Sequence, residues 1–77
     1  MNKGILIELN HGFGYGYIKC SKSGKDLFCK FEDIEYELPK ENDLVSFDLI
    51  EGNNSELAIN INLLEKMDAG ASNRVSA

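Results

Sequence analysis

Residues 13–20 read Phe-Gly-Tyr-Gly-Tyr-Ile-Lys-Cys, and this alternation leaves the stretch few ways to fold. Side chains of a strand point alternately to its two faces. Phe13, Tyr15, Tyr17 and Lys19 therefore share one face, and Gly14, Gly16, Ile18 and Cys20 share the other. A fully buried strand would carry continuous branched aliphatics, and a turn would carry no rings. The stretch predicts a strand with a thin apolar side toward a core and a ring-bearing side away from it. Glycines on the inner parity let such a strand bend as tightly as a small barrel requires.

The neighbouring segments are equally short. Residues 4–10 read as a strand of Ile5, Leu6, Ile7 and Leu9, with Glu8 the odd one out. Residues 21–26 carry turn chemistry centred on Ser23-Gly24. Residues 26–31 form a third strand, with Leu27 and Cys29 toward the core and Phe28 and Lys30 on the other side. Phe31 falls with Leu27 by parity, so a binding role for it needs the strand to end or bend there. Residues 32–43 are acidic and broken by Pro39, which predicts a loop with one short helical turn. Residues 44–50 and 56–61 are two more strands, with Val45, Phe47 and Leu49 inward on one and Leu57, Ile59 and Ile61 inward on the other. A hairpin turn at residues 51–55 joins them. Asn62-Leu63-Leu64-Glu65 has the spacing of a capping box, so a short helix is expected to begin there and to end at Gly70; the last residues should fray. Five short strands joined by turns suggest a small antiparallel barrel over residues 1–62, and a short helix or flexible tail over 63–77.

Composition narrows the function classes. At 77 residues the chain forms one domain with a small core and little spare stability for a strained catalytic site. No apolar run approaches the ~20 residues that span a bilayer, and the N-terminus is too short and interrupted for a signal peptide. A cytoplasmic protein without membrane contact is expected. Cys20 and Cys29 form no Cys-x-x-Cys pair and His11 is the single histidine, so neither a metal site nor any other cofactor is expected. The cysteines read as small buried hydrophobes, with a disulfide across a hairpin as the lesser reading; Asn53-Asn54-Ser55 reads as a polar turn. No nucleophile, base and orienting acid can be assembled, so the chain is not expected to be an enzyme.

The net charge is −5, which argues at first against a polyanionic partner. The distribution argues otherwise. Residues 1–31 carry five lysines against two acids, and residues 32–77 carry three basic residues against eleven acids. Local potential decides where a polyanion docks, and the rings sit in the basic part. Bases offer flat faces of any sequence, and stacking one on a ring is worth about 1–3 kcal/mol. Lysines beside the rings would track phosphates.

Phe13-Gly14-Tyr15-Gly16-Tyr17-Ile18 resembles the first ribonucleoprotein motif of the cold-shock domain, usually Lys-Gly-Phe-Gly-Phe-Ile. Leu27-Phe28-Cys29-Lys30-Phe31 resembles the second, usually Val-Phe-Val-His-Phe. Gly4 through Asn10 align without gaps with the family's first strand, and Val45-Ser46-Phe47, Glu51-Gly52-Asn53, Ala58 and Asn60-Ile61 with its last two strands. The resemblance implies a five-stranded oligonucleotide-binding barrel of the all-β class. It also implies single-stranded RNA or DNA as partner, bound with little sequence preference, in RNA chaperoning or control of transcription or translation. By position, Tyr15, Tyr17, Phe28 and Phe31 are the stacking candidates, and Lys30 stands where the family has histidine.

The departures are specific. Glu8 occupies the place of the family's surface tryptophan, Ile7 replaces a lysine, and Phe13 replaces the lysine that opens the first motif. Phe13 offers a compensating ring. Glu8 repels phosphate but can accept a hydrogen bond from a base amino group such as cytosine N4. The loop at 35–43 is shorter than usual, with Tyr36 or Leu38 in place of its aromatic. Weaker binding than a typical member, or a shifted base preference, is expected. The competing reading is the same fold turned to protein binding, with Leu63-Leu64 supporting weak self-association.

Overall fold

The computed structural model describes residues 2–52 and 55–66. It is all-β, with five strands: β1 (Asn2–Asn10), β2 (Tyr15–Cys20), β3 (Asp26–Lys30), β4 (Leu44–Gly52) and β5 (Ser55–Glu65), and one 3-10 turn over Phe31–Asp33. The strands close into a barrel in the order β1-β2-β3-β5-β4. All neighbours are antiparallel except β3 and β5, which meet in parallel where Phe28 pairs with Leu57. Closure removes the open edges that a five-stranded sheet would otherwise expose.

The core is layered across β1, β2 and β3. Leu6, Ile18 and Leu27 lie side by side in the register, all buried, and Leu9, Gly16 and Cys29 form the next inner row. Val45, Phe47, Ala58 and Ile61 complete the interior from β4 and β5. Both cysteines are free thiols in this core. Burial pushes the Cys29 thiol up to about 11, so it stays protonated at neutral pH. Turn chemistry at 21–25 is as expected: Gly24 takes φ +75°, and its N–H donates to the Cys20 carbonyl at 2.8 Å. The single 3-10 turn in the acidic segment starts at Phe31, and Ile34 then bridges to Ile61.

Three expectations fail, two from strict alternation at a register shift and one from a local capping pattern. On β5 the buried residues are Ala58 and Ile61, with Leu57 and Ile59 only half-buried. Asp48 pairs with Ile59 but Ser46 pairs with Asn62, so β5 carries one extra residue. Asn60 is that residue; it takes φ +50°, a conformation asparagine tolerates better than most side chains, and its amide donates to Asp48 Oδ2 at 2.9 Å. Past this bulge the inward parity reverses. On β4, Leu49 is exposed, and Ser46 is buried with Val45 and Phe47.

The third failure is the helix expected from Asn62. Asn62, Leu63 and Glu65 instead pair with Ser46, Val45 and Leu44. A local capping pattern competes here with a whole ladder of hydrogen bonds to β4, and the ladder wins. Residues 67–77, with the expected Gly70 stop, and Asn53-Asn54 of the β4–β5 turn lie outside the described residues. No helix among the described residues is long and apolar enough to cross a membrane.

Candidate nucleic-acid interface

The outer face of β1–β2–β3 is built in rows. Glu8, Tyr17 and Phe28 are direct cross-strand neighbours, Asn10, Tyr15 and Lys30 form the next row, and Ile5, Lys19 and Asp26 the row on the other side. Tyr15, Tyr17 and Phe28 therefore meet. Tyr15 and Phe28 lie at 5.5 Å between centroids and 27° between planes. Tyr17 stands nearly upright to both, at 5.9 Å and 83° from Tyr15 and 5.8 Å and 75° from Phe28. Such edge-on and offset pairs fix ring orientation. All three rings are half-buried, so each keeps surface for a ligand.

Phe13 is not in the strand. It sits on the β1–β2 turn, 84% exposed, because Gly14 takes φ +75° and turns the chain just before Tyr15. Phe13 nevertheless joins the face: with Gly14, Tyr15, Phe28, Lys30 and Glu32 it lines an open cleft of about 410 Å³. Lys30 Nζ lies 4.0 Å from the Glu32 carboxylate, both largely in solvent, a loose pair worth little. Lys19 is held more closely, 2.9 Å from Asp26. Sequence reasoning missed Asn10. Its amide donates to the Tyr15 hydroxyl at 3.1 Å, and its side-chain carbonyl accepts the Phe13 N–H at 3.0 Å. One residue thus ties the turn ring to the strand ring. The signal was an asparagine at a strand end, where its side chain favours turn contacts.

The remaining candidates separate. Phe31 does leave the strand, into the 3-10 turn. It meets His11 edge-on at 5.2 Å, and its N–H donates to the Gly14 carbonyl at 2.9 Å, so it braces the β1–β2 turn. Tyr36 makes no ring contact with the cluster among the described residues. Its ring packs against the core, its hydroxyl donates to Asp43 Oδ2 at 2.8 Å, and Lys66 Nζ lies 5.5 Å from its centroid. Burial first, and the Asp43 carboxylate second, hold that hydroxyl well above the usual tyrosine range. Leu38 is exposed with φ +58°.

Glu8 reaches the outer face through a bulge. Leu6 pairs with Ile18, but Glu8, not Ile7, pairs with Tyr17. By plain alternation Glu8 would point inward with Leu6; the extra residue at Ile7 turns it out. Gly16 makes room for this, because a Cβ there would lie 2.7 Å from the Glu8 carbonyl. Gly16→Ala is expected to cost about 1–3 kcal/mol, the range for an overpacked site. An unchanged urea midpoint would contradict that close approach.

A small closed barrel with rings, a lysine and a charged rim on one outer face defines a nucleic-acid-binding module. The family model of the "cold-shock" DNA-binding domain matches residues 2–64, and the chain belongs to that family, a non-catalytic fold that binds single-stranded nucleic acid. Among solved structures it is similar to Drosophila Unr CSD456, with a TM-score of 0.72 and 24% identity, over 88% of this chain and 28% of that one. The chain thus spans little more than a quarter of that structure's length, and the likeness supports the fold. No curated protein sequence matches. Among the described residues, no group of three or more histidine, cysteine, aspartate or glutamate side chains is placed to hold a metal ion.

Proposed function

We propose that this chain binds single-stranded RNA or DNA without catalysis, by stacking bases on Tyr15, Tyr17 and Phe28 with Phe13 and Lys30 at the rim. It would act in the cytoplasm as an RNA chaperone or as a regulator of transcription or translation. The observation that carries the reading is the mutual contact of three rings outside the core, beside a lysine held only loosely by Glu32. Stacking on single bases competes with duplex formation, so weak hairpins would melt. The test is a tyrosine-fluorescence titration with heptathymidine and its RNA counterpart, at low and moderate salt. Saturable quenching with a shallow salt slope supports ring-driven binding. Absence of binding at either salt rejects it. In that case the exposed Ile50 and Leu64 on β4 and β5 favour the protein-binding reading, which predicts concentration-dependent sedimentation.

A further inference from the structure

Glu8 is an exposed carboxylate on the ring-bearing face. Among the described residues it forms no ion pair; the lysines that do pair are matched with Asp26, Glu32 and Asp43. The β1 bulge is what presents it there, directly across from Tyr17. Side chains directly opposite on antiparallel strands have Cβ atoms about 4.5–5.5 Å apart. A base lying on Tyr17 therefore brings its edge within reach of the Glu8 oxygens.

A carboxylate is acceptor-only and has two oxygens. It excludes phosphate from this rim and rewards donors. Single-stranded bases expose their Watson–Crick edges to proteins, and those edges differ in donor count. Guanine presents two adjacent donors, N1–H and the 2-amino group. Uracil and thymine present one N–H between two carbonyl oxygens, which a carboxylate repels. Cytosine and adenine each present one amino group next to an acceptor ring nitrogen. Two parallel hydrogen bonds to one carboxylate are available from guanine alone. Asn10, the next outward residue on β1, is occupied with Tyr15 and Phe13, which leaves Glu8 as the acceptor beside Tyr17.

We propose that Glu8 makes this face select guanine at the position stacked on Tyr17, its two carboxylate oxygens accepting from guanine N1–H and the 2-amino group. The proposal rests on the nucleic-acid reading above and adds a base preference to it. A good bidentate contact discriminates by roughly tenfold or more.

The experiment titrates the full chain with five heptadeoxynucleotides, thymidine throughout except for the central base, which is thymine, cytosine, adenine, guanine or hypoxanthine. The guanine oligomer is expected to bind about tenfold more tightly than the thymine one. Hypoxanthine keeps N1–H but lacks the 2-amino group, and is expected to lose most of that gain. In Glu8→Gln the ratio of guanine to thymine affinity should fall to near one. The proposal is overturned if thymine, cytosine or adenine binds as tightly as guanine, if hypoxanthine matches guanine, or if Glu8→Gln keeps the preference. Binding of none of the five would overturn the nucleic-acid reading itself, and this proposal with it.

Discussion

Replacing Tyr17 and Phe28 together by alanine is expected to weaken heptathymidine binding by about 100-fold, from the 1–3 kcal/mol each stacked base contributes. The rings touch, so the single variants should not sum to the double. Removing Tyr17 also releases the edge that orients Phe28, and neighbouring side chains couple in this way. The fold should survive, because the residues that face inward beside these rings, Ile18 and Leu27, remain buried in the core. A urea midpoint close to that of the unaltered chain would show this. Lys30→Ala is the informative contrast. It removes one phosphate contact and is expected to flatten the salt dependence by about one unit of slope, with a smaller loss of affinity. Binding by the double variant within twofold of the original would mean that lysines, not rings, hold the strand, and the site would have to be reassigned.

The parts of this site that were legible in the sequence are those where local alternation survives in the structure. β2 alternates without interruption from Tyr15 to Cys20, so Tyr15 and Tyr17 could be placed outside, and Ile18 inside, from their order alone. β3 is likewise regular, and Phe28 and Lys30 followed. Legibility ends at the bulges. Nothing in Ile5-Leu6-Ile7-Glu8-Leu9 says that Ile7 is the extra residue; that depends on how closely Gly16 lets β1 approach. Asn60 inserts a residue into β5 in the same way, which is why Leu57 and Ile59 are not the core residues that parity predicts. The misread helix at Asn62 has a related cause, since its competitor is a pairing with Leu44, Val45 and Ser46, some eighteen positions upstream. Tyr36 could be singled out as an aromatic in the acidic loop, but not assigned a direction. Its partner Asp43 looks like one acid among many, and Lys66 lies far away in sequence.

That partnership supports the largest stability prediction. Asp43 is fully buried, and its Oδ2 accepts the Tyr36 hydroxyl at 2.8 Å, the Lys40 N–H at 2.9 Å and Lys66 Nζ at 3.0 Å. Its own carbonyl accepts the Leu6 N–H, and Lys66 also donates to the Leu38 carbonyl. The segment from Glu35 to Asn42 has no fully buried side chain, and both Leu38 and Asn42 sit at positive φ, which costs free energy. Asp43 therefore ties the loop to the end of β5, in addition to the backbone hydrogen bonds from the Glu35 N–H to the Ile61 carbonyl and from the Asn42 N–H to the Leu6 carbonyl. Asp43→Ala is expected to lower stability by about 3 kcal/mol, the low end for a broken buried pair, because the Lys66 side chain is 34% exposed and can turn to water. Domains of this length carry on the order of 4–12 kcal/mol in all, so the urea midpoint should fall sharply. Lys66→Met should cost a comparable amount, since it leaves the buried carboxylate, whose Oδ1 has no hydrogen-bond partner among the described residues, without its cation. A loss below about 1 kcal/mol in Asp43→Ala, the level of an ordinary exposed pair, would mean that Tyr36 packing and the backbone hydrogen bonds at Glu35 and Asn42 hold the loop. Heptathymidine affinity of the folded variant should be unchanged, because the network shares no residue with the ring-bearing face.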